Sequence, residues 1–141
     1  MNEAYIGFEF LYTLLSNDPA LSALLPGGVF RGVAPPGTPT PFIAMNLQAG
    51  TDAITMNAVR LMSSLMYQIK VTGPSGTTPD VATAEHAMDA LIKRTSGTTP
   101  DGLILSFYRD SSIFTDQLIP AKGEQWVSIG GMYRSQIQST S

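Results

Sequence analysis

The stretch Leu65-Met66-Tyr67-Gln68-Ile69-Lys70-Val71-Thr72 alternates strictly, with Leu65, Tyr67, Ile69 and Val71 on one side and Met66, Gln68, Lys70 and Thr72 on the other. Strand side chains point to opposite faces with period two, so this pattern describes a strand with one apolar face. Directly after it, Gly73-Pro74-Ser75-Gly76-Thr77 makes a turn and the period changes. Thr78 as cap, Pro79 at the first helical position and Asp80 in the first turn start a helix. Its buried stripe is Val81, Ala84, Met88, Leu91 and Ile92, and Lys93-Arg94 suit its C-terminal end.

Toward the N-terminus, Asn2 caps a first helix, with Glu3 in its opening turn. Tyr5, Phe8, Leu11, Tyr12 and Leu15 are expected to form its apolar face. Ser16-Asn17-Asp18-Pro19 ends that helix and starts a short one from Ala20 to Leu25, with Asp18 as cap; Pro26-Gly27-Gly28 stops it. The strand-like segments Val29–Val33 and Phe42–Leu47 then flank Ala34-Pro35-Pro36-Gly37-Thr38-Pro39-Thr40-Pro41. Each proline fixes φ and removes a donor, so this span is a stiff, extended connection suited to making contacts.

Gly50 to Ser64 has β-like residues (Ile54, Val59, Leu61) without alternation, and is expected as a long hairpin arm or an irregular excursion. Leu103 to Arg109 reads as a strand, Ser111 to Lys122 as a loop, and Trp126 to Gln138 as a final strand. Gly130-Gly131 predicts a bulge or sharp bend within it. Ser139-Thr140-Ser141 is expected to fray. Helices and strands do not alternate regularly. The expected architecture is therefore a single α+β domain over residues 1–141, a largely antiparallel sheet with two main helices on one face and extended loops.

Composition narrows the function. With no cysteine among 141 residues, disulfides, thiolate metal sites and cysteine nucleophiles are excluded. Charged residues make up 13% of the chain, against about 25% in ordinary soluble domains. Eight basic and eleven acidic residues give a net charge of −3, a poor match to a dedicated nucleic-acid binder. The apolar runs fall short of the roughly 18–20 residues of a membrane helix, and Glu3 and Glu9 stand where a signal peptide has basic residues. A surface this poor in charge suits burial by neighbouring proteins.

The motifs that carry chemistry elsewhere have ordinary readings here. Gly73-Pro74-Ser75-Gly76-Thr77-Thr78 lies where a phosphate loop would, but its glycines are too close and no lysine follows. Gly-Thr-Thr-Pro-Asp occurs at Gly76–Asp80 and again at Gly97–Asp101, both times as turn and helix-start chemistry. His86, the only histidine, has no companions at ligand spacing and reads as solvated or half-buried. Asp110 and Asp116 read as turn aspartates rather than paired catalytic carboxylates. Arg31, Lys70, Arg109 and Arg134 fall on expected strands, either as a weak basic stripe or as scattered guards of a polar face. No nucleophile and base stand together, so no enzyme and no cofactor are expected.

Taken in order, several segments resemble the tail terminator (tail completion) proteins of long-tailed bacteriophages. They are Leu14–Leu21, Pro26–Phe30, the proline-rich loop into Pro41-Phe42-Ile43, the strand Met66–Val71, the helix Ala82–Ile92 and Tyr108-Arg109-Asp110. The resemblance implies a subunit of a ring, commonly a hexamer, that caps the finished tail tube, ends its polymerisation and receives the head connector. It implies a virion location at the head-proximal end of the tail, assembly in the host cytoplasm, and no catalytic residues. DNA would pass through the lumen without specific binding, and no membrane takes part. The partners implied are further copies of the chain, the tail tube protein and a connector or neck protein. The segments Ala34–Pro41, Gly50–Ser64 and Asp110–Gly123 would take the inter-subunit and tube-facing positions. Within or beside them, the candidate contact residues are Pro35, Pro36, Pro39, Pro41, Met56, Arg60, Met62, Arg109, Asp110, Phe114 and Asp116. The competing readings are a neck, connector or minor tail component, and a small-ligand-binding α+β domain that uses the concave side of the sheet.

Overall fold

The computed structural model describes residues 3–35, 37–54, 60–93, 95–100, 102–104, 107–119 and 124–139. The chain opens with helix α1 (Glu3–Ser16) and the short helix α2 (Pro19–Leu24). Asp18 caps α2 as its sequence requires: Oδ2 accepts from the Leu21 N–H at 2.9 Å. Strand β1 (Val29–Arg31) is bracketed by Gly28 and Gly32, whose φ values of 82° and 85° turn the chain in and out of it. Strands β2 (Phe42–Ile54) and β3 (Arg60–Pro74) pair antiparallel, so of the two readings of Gly50–Ser64 the described residues follow the hairpin arm rather than the irregular excursion; residues 55–59 lie outside the described residues. A 3₁₀ turn, Ser75–Thr77, leads into α3 (Thr78–Ile92). The short strands β4 (Gly97–Thr99) and β5 (Gly102–Ile104) follow, then the long strands β6 (Tyr108–Ile119) and β7 (Glu124–Ser139).

The strand order is β1-β2-β3-β7-β5-β4, with β6 also paired to β7. β1 runs parallel to β2, and all other pairs are antiparallel. The domain is α+β, as expected. β7 organises the sheet. One of its edges pairs with β3 from Trp126 to Ile137, while β6 and β5 share the other.

The helices cover the face on which Leu65, Tyr67, Ile69 and Val71 project, each at most 5% exposed. Val81, Ala84, Met88 and Ile92 of α3 are fully buried against it, as the predicted stripe requires, and Leu91 packs at its margin. Burying one such aliphatic side chain stabilises the fold by about 1.5–3 kcal/mol. At the centre of that face Tyr67 and Tyr133 stand directly opposite each other on β3 and β7, both with no exposed surface. The Tyr67 hydroxyl donates to the Ala4 carbonyl of α1 at 2.9 Å, and the Tyr133 hydroxyl donates to Asp89 Oδ1 of α3 at 2.7 Å. One tyrosine pair thus docks both main helices. Phe8 meets the Tyr67 ring edge-on at 5.0 Å, and Phe107 lies 6.0 Å from it.

Four expectations are corrected. The buried residues of α1 are Glu3, Ile6, Gly7, Leu11 and Leu15, while Tyr5 and Tyr12 are 51% and 53% exposed. The helix is rotated because its glycine must face the sheet: a Cβ at Gly7 would lie 2.0 Å from the Tyr67 hydroxyl. The α3 N-cap is Thr77 rather than Thr78, with no side-chain cap bond, because the hydroxyls of Thr77 and Thr78 donate back into the 3₁₀ turn. The expected strand from Leu103 to Arg109 is two strands, and the expected loop from Ser111 is the body of β6. Finally, Gly130-Gly131 carries no register shift; the bulge falls on the partner strand, between Arg109 and Ser111. The glycines serve close approach instead. A Cβ at Gly130 would lie 2.1 Å from the Ile69 carbonyl oxygen, and one at Gly131 would lie 2.5 Å from Arg109 Nε.

On the other face of the sheet, Phe42 links Phe30 at 6.1 Å to Trp126 at 6.3 Å. The buried hydroxyls of Thr72 and Ser128 bond each other nearby at 2.9 Å. The second face therefore has a small aromatic cluster of its own, at the end where the proline-rich loop enters β2.

Two outcomes follow for stability. Gly130→Ala forces backbone apart and should cost about 2 kcal/mol or more, a fall in Tm of several degrees. Gly76→Ala, whose Cβ meets nothing within 4 Å, should be near neutral in the same thermal unfolding measurement. Burial pushes the ionisation of both tyrosines well up from the ordinary value of 10.0, helped at Tyr133 by its bond to Asp89. Their contribution is complete below pH 10.0 and is lost as pH rises above it, because the unfolded chain ionises first. Tm should therefore fall more steeply above pH 10 in the native chain than in Tyr67→Phe/Tyr133→Phe.

Candidate assembly surface

Of the described candidate contact residues, the prolines, Phe114 and Asp116 lie toward one end of the sheet and Arg60 and Met62 toward the other, while Arg109 and Asp110 stand level with its centre. The row Phe42–Thr72–Ser128–Thr115 places the proline-rich loop at the end where β6 approaches its turn into β7. The paired ends of β2 and β3, Ile54 and Arg60, lie toward the other end, past Ser63 and Ile137. Met56 and Pro36 lie outside the described residues. Arg60 and Met62 are paired on that arm with Ile54 and Ala53.

The proline-rich loop is tethered at its base and open at its crown. The Gly27 N–H donates to the Pro41 carbonyl at 3.3 Å, and the Ile43 N–H donates to the Gly28 carbonyl at 2.9 Å. At the crown, the Thr38 N–H and hydroxyl both donate to the Pro35 carbonyl. Pro35 and Pro39 are exposed, Pro41 is half-buried after a cis peptide bond, and Val33 is 92% exposed.

Arg109 turns inward. Its guanidinium lies 2.6 Å from Glu85 Oε1 and 3.4 Å from Asp89 Oδ1 on α3, donates to the Gly130 carbonyl, and sits over the Tyr133 ring. Burial disfavours its charge, but Tyr133, Glu85 and Asp89 outweigh that and push its ionisation up. Arg109 is therefore a strap between the sheet edge and α3. Asp110, at the bulge, pairs with the half-buried Arg134 at 3.4 Å. Phe114 and Asp116 are exposed on β6. The four basic residues form no single stripe: Lys70 and Arg134 lie on the open face, Arg109 on the helix face and Arg31 at the sheet margin.

One surface escaped the sequence reading. Tyr5, Phe8, Tyr12, Arg31, Met45 and Leu47 line two adjoining hollows, about 520 and 230 Å³, between α1 and the margin of β2. The Arg31 guanidinium lies 5.8 Å over the Phe8 ring there. The signal was present in α1 itself, where apolar residues occupy more than one helical face, the mark of a helix covered on two sides. A further hollow of about 470 Å³ lies between α1 and the β4 strand, with Glu9 and Asp18 as its carboxylates; Asp18 is already used as a cap. His86 is exposed on α3. Among the described residues, no group of three histidine or acidic side chains gathers to hold a metal, and no helix is long and apolar enough to cross a membrane.

Replacing Arg109 by Met keeps the aliphatic stem but removes the cation from Glu85 and from Asp89, both partly buried, leaving Asp89 with the Tyr133 hydroxyl. The expected loss in chemical unfolding is about 1–2 kcal/mol. Adding Glu85→Gln should recover part of it.

No family model matches the chain, and no curated protein matches it in sequence. A solved chain from the virion of a native gene transfer agent particle is similar in structure, with a TM-score of 0.69 at 13% identity, covering 91% of each chain. The two chains share a fold.

Proposed function

We propose that this chain is a structural virion protein that forms a ring, expected to be hexameric, on the head-proximal end of a phage tail tube. In that role it ends tube polymerisation and presents the surface on which the head connector docks. The observation that carries the proposal is the likeness, over 91% of both chains, to a component of a gene transfer agent virion. The ordered segment resemblance to tail terminators points the same way. So does the surface, which is poor in charge and offers projecting elements at both ends of the sheet. A net charge of −3 suits a lumen through which DNA must pass without being held by counterion release. Nothing in this role calls for catalysis or a cofactor.

The test is the solution mass of the purified protein, read with negative-stain images. The expected result is a closed ring whose mass is a whole multiple of the chain. Added to polymerising tube subunits, the protein should cap the tubes and narrow their length distribution. A ring that leaves tube length unchanged removes the terminator role and moves the part to the neck. A strict monomer with a ligand-induced thermal shift of several degrees would favour the small-ligand reading instead.

A further inference from the structure

The joint between copies can be read from the sheet, resting on the ring proposed above. Along β2, β3, β7 and β6 every neighbouring pair is antiparallel, so strand directions alternate across the run. Among the described residues, both outer margins of this run lack a partner over long spans. On β2 this holds from Asn46 to Ile54, beyond the reach of β1; on β6 it holds along the whole strand, Tyr108–Ile119. Proteins that keep such edges free usually guard them with lysine or proline. Neither span contains either residue. The cation on β6, Arg109, is folded inward onto α3.

The two edges also match. Copies related by rotation about an axis to which the strands are tilted, as in a closed barrel, keep their strand directions, so β6 of one copy meets β2 of the next antiparallel. The tilt offsets Phe114 from the level of Ile43, which its own sheet gives it and which β1 already covers, toward the free span of β2. Their helix-bearing faces then lie on the same side. On that side β6 presents Phe114, opposite Ile129 in its own sheet and 63% exposed, followed two residues later by Asp116. On the same side, the β2 margin presents the hollow walled by Tyr5, Phe8 and Leu47, with Arg31 at its rim. An aromatic side chain is matched to a hollow walled mainly by aromatic and aliphatic groups, and a carboxylate to the Arg31 guanidinium, which shares the smaller hollow with Glu9.

We propose that the first part of β6, Tyr108–Phe114, of one copy adds to the free span of β2 of the next, beyond β1, as an antiparallel strand, seating Phe114 in the hollow between α1 and β2 and bringing Asp116 to Arg31 at the end of β1. A continuous sheet then runs around the assembly. The two contact patches differ on each subunit, as a closed cyclic arrangement requires.

The chain has no cysteine, so introduced pairs report without background. Leu47→Cys is combined in turn with Ser112→Cys, Phe114→Cys and Asp116→Cys, all exposed positions, and the assembled protein is oxidised mildly. The expected result is a ladder of covalent oligomers from at least one pair, ending at the subunit number of the ring. Each single variant should stay uncrosslinked. Arg31→Asp should weaken self-association about tenfold or more, and Asp116→Arg in the same chain should restore it. A ring, seen by mass and images, with no ladder from any pair leaves the β2 edge to an extended segment of a different protein; it overturns this joint while the ring stands. A monomer under all conditions overturns both.

Discussion

Two tyrosine hydroxyls, side by side at the middle of the sheet, fix where the helices can lie. Both are fully buried, and a buried hydroxyl without a partner costs about 1–3 kcal/mol. Tyr67 finds its acceptor on α1 and Tyr133 finds its acceptor on α3. Neither helix can slide or rotate without leaving one of them unpaired. The rest adapts to that requirement. Gly7 stands where α1 presses on Tyr67, Gly130 and Gly131 let β7 approach β3 and Arg109 closely, and Arg109 joins the Tyr133–Asp89 pair from the outside.

The same docking decides what is left exposed. Turning Gly7 inward turns Tyr5 and Tyr12 outward, toward the margin of β2. The apolar surface that results lies beside a backbone edge of β2 that has no strand partner among the described residues, and the β6 edge of the sheet bears Phe114. Helix docking and surface are therefore one problem: the packing that satisfies the core also shapes two unlike sheet margins. A domain of low charge with two such margins is suited to assembly rather than to solitary work in water.

Much of the fold was legible. Leu65–Thr72 alternated and became the centre of β3, the α3 stripe was buried as read, and Asp18 and Pro19 started α2. Those segments have one face in the core and one outside, so burial writes a period into them. β6 was missed because most of it is exposed on both sides from Tyr108 to Asp116, and a strand pairing only through its backbone leaves no alternation. The candidate contact residues were legible as positions along the chain, the proline-rich loop above all. Their arrangement was not: the loop and β6 share one end of the sheet, the β2–β3 arm takes the other, and Arg109 belongs to the interior.

By itself the sequence determined the kind of elements, the shortage of charge, the absence of cysteine chemistry and the stiffness of the proline-rich connection. These are properties of residues and of short periods, which local sterics and solvation settle. Only the tertiary structure decided the rotation of α1, the inward turn of Arg109 and the pairing of β7 on both edges. Each depends on a partner far away in the chain, Tyr67 for Ala4 and Asp89 for Tyr133, and no local pattern encodes where a distant acceptor will stand.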